Sequence, residues 1–202
     1  MNRFNSLVAR VRRRARIATV AVAVSGLLVG LAGSPAQASV WSLQDSFDTD
    51  GVWSFGSVGV TGPYSYSSGF GGIDHYSPTT HSGKSSGYVD LLDANTGYVW
   101  AGRTVHLTPA QVHSATCYAG IWILPGNGTS WNIEVINPTT WTYLALKSVT
   151  LTNTTGAYQF VMVGPWTTGP TDVYFRVALG ANPKLTGWVG GDLDDLAVQC
   201  SY

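Results

Sequence analysis

The run Asp172–Leu179 places Val173, Phe175, Val177 and Leu179 at every second position, with Asp172, Tyr174 and Arg176 among the residues between them. Side chains alternate across a strand, so this period specifies half-buried β structure, apolar toward a core and polar away from it. Trp131, Ile133 and Val135 repeat the pattern around Asn132 and Glu134. Turn formers separate such runs: Pro125-Gly126-Asn127-Gly128, Asn137-Pro138, Asn153-Thr154-Thr155-Gly156, Gly164-Pro165 and Asn182-Pro183. Short alternating segments with this punctuation predict an all-β sandwich or barrel. Helices have little to be built from, because Glu occurs only at Glu134 and Lys, Arg and Met are scarce beyond residue 38.

We read strands near Val40–Phe47, Val52–Val60, Gly87–Leu92, Tyr98–Leu107, Thr116–Leu124, Trp131–Ile136, Trp141–Leu151, Tyr158–Val163, Asp172–Leu179 and Gly187–Gln199. The segment from Thr61 to Gly87 differs. It is dense in Gly, Ser and Tyr and reads as a long loop, either a contact surface or a connection that packs its own tyrosines.

Residues 1–38 have the features of a signal peptide. Arg3, Arg10, Arg12, Arg13, Arg14 and Arg16 precede an apolar stretch from Ile17 to about Leu31, and Ala36-Gln37-Ala38 is a small-x-small cleavage pattern. The stretch is too short and too interrupted by Gly for a good membrane span, which takes roughly 20 apolar residues. The expectation is a secreted, extracellular, monomeric protein whose mature part, residues 39–202, is one domain. The leader holds six of the eleven basic residues, leaving five against eleven acids. Without a basic stripe, nucleic acid and anionic membrane are poor partners. Cys117 and Cys200 are the only cysteines. Outside the cell such a pair reads as one disulfide; the alternative is two free or metal-bound thiols, though no His stands at ligand spacing.

Four motifs resemble the jelly-roll carbohydrate-binding modules of family 4, 9 and 22 type, a galactose-binding-like antiparallel β-sandwich. They are Asp45-Ser46-Phe47-Asp48 with Gly51-Val52-Trp53, then His81-Ser82-Gly83-Lys84-Ser85-Ser86, then Tyr118-Ala119-Gly120-Ile121-Trp122, and last Gly187-Trp188-Val189-Gly190-Gly191-Asp192-Leu193-Asp194-Asp195-Leu196. The likeness spans the mature chain, with departures: Asp48 where Glu is common, Ser85 where an aromatic is expected, and a terminal Cys200. It implies a polysaccharide or oligosaccharide partner and a structural calcium joining the first and last strands. Asp45, Asp48, Asp194 and Asp195 would be its oxygen ligands.

A pyranose offers an apolar C–H face edged by hydroxyls, so its sites pair flat aromatic rings with a few polar groups. Trp131 reads as core, and Trp41, Trp53 and Trp188 as packing near the sheet ends. Trp122, opposite in facing to Ile121 and Ile123, and Trp166, in a Gly-Pro-Trp loop, are the platform candidates. Asn132, Glu134, Tyr174 and Arg176, joined by Gln159, would form a polar face beside them. A solvated face with a Glu134–Arg176 ion pair is the plain alternative.

Catalytic readings are weaker. A glycosidase needs two carboxylates at a set separation; the acids are Glu134 and ten Asp, most in turn-like contexts, with Asp90 and Asp93 flanking a strand end and Asp192, Asp194 and Asp195 on the last strand. A lyase would want a His or Tyr base near a neutralising Arg, for which His106 with Arg103, or His75 with Tyr76, are the candidates. Gly83-Lys84-Ser85-Ser86-Gly87 matches a hydrolase elbow literally but lacks its strand and helix. The expected function is non-catalytic carbohydrate binding. A small polysaccharide-degrading enzyme and an interaction or inhibitor domain are the alternatives.

Overall fold

The computed structural model describes residues 40–49, 51–75, 80–107, 115–167 and 170–201, with the Trp41 side chain excepted. The expected signal peptide and its cleavage site lie outside the described residues. No helix occurs among them, and none is therefore long and apolar enough to cross a membrane.

Eleven strands are described: β1 (Val40–Asp45), β2 (Ser54–Thr61), β3 (Ser68–Asp74), β4 (Ser86–Leu92), β5 (Thr96–His106), β6 (Thr116–Pro125), β7 (Thr129–Asn137), β8 (Thr142–Leu151), β9 (Gln159–Thr167), β10 (Asp172–Gly180) and β11 (Trp188–Ser201). They form two antiparallel sheets. One has the order β3-β4-β11-β6-β9, with β1 pairing the second half of β11; the other has the order β2-β5-β10-β7-β8. Ten strands coincide broadly with the sequence reading. The eleventh, β3, lies inside the segment read as a loop. Its Ser68-Gly69-Phe70-Gly71-Gly72 run has too few apolar side chains to show a period, yet it pairs residue for residue with β4.

The core lies between the sheets, and the alternating runs supply it. Val173, Phe175, Val177 and Leu179 of β10 and Trp131, Ile133 and Val135 of β7 point inward, all at 1 % exposure or less. Val89, Leu91, Ile121, Ile123, Leu193, Leu196 and Val198 meet them from the other sheet. Burying each such side chain stabilises the fold by about 1.5–3 kcal/mol. Phe47 and Trp53 close one end as a stacked pair with centroids 4.1 Å apart.

Two bulges change which side chains face inward. In β11 the register shifts between Asp194 and Ala197, so Leu193 and Leu196 both point into the core and Asp195 takes a positive φ of 45°. In β9 an extra residue falls between Val163 and Trp166, opposite Cys117 and Ala119. It moves Trp166 to the inward side, where it is buried. The disulfide joins Cys117 on β6 to its register partner Cys200 on β11, with Cα atoms 4.1 Å apart.

Candidate functional site: the outer face of the β2-β5-β10-β7-β8 sheet

Strand alternation presents Tyr98, Trp100 and Gly102 from β5, Tyr174 and Arg176 from β10, and Asn132 and Glu134 from β7 on the face away from the core. Register sets them in rows. Gly56, Trp100, Ala178, Asn132 and Ser148 form one; Ser54, Gly102, Arg176, Glu134 and Leu146 form the next. Arg176 and Glu134 are thus direct cross-strand partners, and the guanidinium Nε donates to Glu134 Oε2.

That pair is not the solvated one of the plain alternative. Glu134 is 3 % exposed. Burial alone would lower the Arg176 pKa, but the hydrogen bond and charge of Glu134 override it and raise it above the ordinary value. The guanidinium also lies over the Tyr98 ring, 5.6 Å from its centroid. Beside Asn132, whose Oδ1 accepts a 2.7 Å hydrogen bond from Ser148 Oγ, these groups and Tyr143 line a depression of about 200 Å³, floored by Ala178 and Gly180.

An aromatic group adjoins it. Trp100 and Trp141 both meet Tyr174 roughly edge-on, at 6.3 Å and 5.9 Å between centroids. The Trp100 and Tyr174 rings each cover a glycine. A Cβ on Gly56 would lie 2.6 Å from Trp100 Cζ2, and one on Gly102 would lie 2.5 Å from the Tyr174 hydroxyl. The rings lean across the sheet instead of standing away from it. Ser54 fixes Tyr174, with the two hydroxyl oxygens 2.9 Å apart while Ser54 Oγ donates to Gly102 O. Trp141 is aimed by its turn: Asn137 Oδ1 accepts from Thr139 N and Thr140 N, and Trp141 adopts a φ of 56°. Its ring is 64 % exposed.

The expected site residues therefore divide. Asn132, Glu134, Tyr174 and Arg176 share one face. Trp122, Gln159 and Trp166 belong to the opposite sheet and cannot join them. Trp122 sits on that sheet's outer side, stacked on the His81 ring at 4.0 Å. Gln159 donates its amide to Thr152 O. Trp166 is core rather than platform, for the bulge reason given above. Trp188, read as packing near a sheet end, is 64 % exposed. Tyr98, Trp100, Trp141 and Tyr143 were not anticipated. Tyr98 and Trp100 were legible, since they alternate with Val99 and Ala101. Trp141 and Tyr143 depend on a turn and on a register shift in the β7–β8 pair, which no period reveals.

The four carboxylates expected to hold calcium are engaged otherwise. Asp45 pairs with Arg103 and accepts from Phe47 N and Trp53 Nε1. Asp48 accepts from Lys84 N, Ser85 N and Ser46 Oγ; the Lys84 bond, against a smaller burial effect, leads in holding its pKa low. Asp194 Oδ2 accepts from His81 N and Ser82 N, while Asp195 binds His81 Nδ1 and Ser82 Oγ, both at 2.5 Å. Donor hydrogens and a guanidinium point at the oxygens a cation would need, so the set does not fit a calcium cage in this arrangement. Among the described residues no three His, Cys, Asp or Glu side chains gather as metal ligands. Arg103 and His106 face opposite ways on β5, and His106 Nδ1 lies 2.7 Å from Asp172 Oδ1. Tyr76 lies outside the described residues.

No family model matches the chain, and no curated protein matches its sequence. Solved structures do match in fold. A cyclase from Fischerella sp. TAU superposes with a TM-score of 0.55 at 14 % identity, covering 80 % of this chain and 98 % of that one. The module TmCBM61, solved with β-1,4-galactotriose, gives 0.51 at 14 %, covering 76 % and 92 %. The Stig cyclase Fisc from Fischerella sp. TAU, solved with an indole compound, gives 0.50 at 15 %, covering 79 % and 88 %. The chain has the jelly-roll fold of carbohydrate-binding modules, and the same sandwich serves cyclases. At such identities the likeness is one of fold, and function is argued from the site.

Proposed function

We propose that the chain is a secreted, non-catalytic carbohydrate-binding protein that takes a polysaccharide strand across the outer face of the β2-β5-β10-β7-β8 sheet. One observation carries this reading: Trp100, Tyr174 and Trp141 cluster beside the Arg176–Glu134 row on a single face. A sugar ring lays its C–H face on the aromatics, and its hydroxyls reach the carboxylate, the guanidinium and the Asn132 amide. The groups are held before any ligand arrives. Trp100 and Tyr174 are seated over glycines, Tyr174 is tied to Ser54, and Glu134 is tied to Arg176, so little freedom remains to be lost on binding. Glu134 and Asp172 each face a basic partner. Such pairing orients the carboxylates as hydrogen-bond acceptors. TmCBM61, with its bound galactotriose, is a precedent for sugar binding on this fold. Secretion rests on the leader pattern and agrees with a disulfide.

The test is affinity electrophoresis of residues 39–202 against a panel of neutral polysaccharides, beside a reducing-end release assay. The expected result is retention on at least one polymer with no release of reducing ends. Retention should weaken by at least about tenfold in Trp100→Ala and in Tyr174→Ala, the size expected of a binding hot spot. Retention unchanged in both variants, or catalytic release that depends on Glu134, would overturn the reading.

A further inference from the structure

The opposite face of the sandwich repeats the same device with carboxylates in place of an ion pair. On the outer side of the β3-β4-β11-β6-β9 sheet the Tyr88 ring covers its register partner Gly72, where a Cβ would lie 2.9 Å from the Tyr88 hydroxyl, and Phe160 covers Gly120. Phe70 meets Trp188 edge-on at 5.1 Å and Tyr88 at 6.3 Å. Phe70, Phe160 and Trp188 are exposed.

Carboxylates are set among these rings. Asp90 stands in register between Phe70 and Gly190, its side chain lying over Gly190, and Asp192 is the partner of Tyr88. Asp90 and Asp192 are the carboxylates among these rings, and the described strands of this sheet carry no Lys or Arg. Arg103, Lys147 and Arg176 all belong to the other sheet. Burial, and then the charge of Asp192, push the Asp90 carboxyl above its ordinary pKa. Ser86, on the same side of β4, is 1 % exposed and its hydroxyl acts on that of Tyr158. Burial first, and then the charges of Asp192, Asp194 and Asp195, push the pKa of that tyrosine up. Exposed rings for a C–H face with carboxylates set between them specify a sugar that brings positive charge.

We infer that this face is a second binding surface, for polymers of amino sugars whose amines are free and protonated. The pyranose faces rest on Tyr88, Phe70 and Trp188, and ammonium groups meet Asp90 and Asp192, gaining both ion pairing and the attraction of the neighbouring ring faces. The two surfaces lie on opposite sides of one sandwich. A single chain then bridges two strands of a polysaccharide matrix.

Calorimetry of residues 39–202 with a β-1,4-linked glucosamine hexamer, its N-acetylated counterpart and poly-lysine of equal charge tests the inference. The expected result is binding of the free-amine hexamer alone, weakened by salt. Asp90→Asn with Asp192→Asn should reduce affinity at least about tenfold, and Trp188→Ala, which removes an exposed ring, should do likewise. Trp100→Ala should leave it unchanged. No binding by the wild type would overturn the inference. So would equal binding of the N-acetylated hexamer or of poly-lysine by the Trp100→Ala protein, whose first surface is disabled, or indifference to both sets of substitutions. Neutral-polymer retention through Trp100 is read separately, so failure of one surface is distinguishable from failure of the other.

Discussion

Trp100 lies across Gly56, its direct cross-strand partner, in the space that any side chain at that position would need. The absence of a side chain at Gly56 on the edge strand β2 lets the indole lean over the sheet. Gly56→Val should push the ring upward while placing a good strand former on β2. We expect polysaccharide retention to fall about tenfold with a melting temperature within a few degrees of wild type, because the ring is not part of the core. Affinity electrophoresis and thermal unfolding measure the two effects. Undiminished retention would show that the ring's tilt is irrelevant to the ligand.

The Arg176–Glu134 pair separates folding from recognition. Arg176→Ala strands a buried carboxylate and should cost about 3–5 kcal/mol, whereas replacing both partners by Met and Leu should restore most of that stability. Neither variant should retain polysaccharide. Denaturant unfolding beside affinity electrophoresis checks both halves. A double variant that binds normally would remove the pair from the site.

How far the site was legible depends on whether a residue's facing follows from alternation alone. Val99–Ala101 around Trp100, and Val173–Val177 around Tyr174, fix their outward neighbours without further information. Trp166 shows where this stops. One inserted residue in β9 reverses facing for everything beyond it, and a Gly-Pro-Trp segment reads the same with or without the insertion. β3 was hidden for the opposite reason: its glycines, which make room for Tyr88 and for the close approach of β4, erase the hydrophobic signal. Pairing across sheets was beyond reach altogether. Only the order β2-β5-β10-β7-β8 decides that Asn132 joins Arg176 and that Trp122 does not.

The disulfide ties the last strand to β6 at a directly opposed pair of buried positions, closing a loop of 83 residues. Cys117→Ala with Cys200→Ala should lower stability by about 2–5 kcal/mol. Denaturant midpoints of the oxidised, reduced and doubly substituted protein measure this. Equal midpoints for all three would mean that the core and ladders alone hold β11 in place.

Asp194 carries a pH dependence of known sign. It is wholly buried, and burial, assisted by the charge of Asp195, raises its pKa to about 6 despite the backbone donors of Ser82, Asp195 and His81. A carboxyl raised above its unfolded value of 3.8 favours the folded state when protonated. Its contribution is complete below the unfolded pKa and lost as pH climbs through the folded one. Asp48, whose pKa is lowered, works in the other direction and masks the effect in the wild type taken alone. Subtracting Asp194→Asn from wild type cancels Asp48. The difference in melting temperature, wild type minus variant, should shrink as pH rises from about 4, most steeply about midway between the unfolded and folded pKa values, and level off above the folded one. A difference that is flat with pH, or one that grows, would mean that Asp194 ionises in the fold as readily as it does in the unfolded chain.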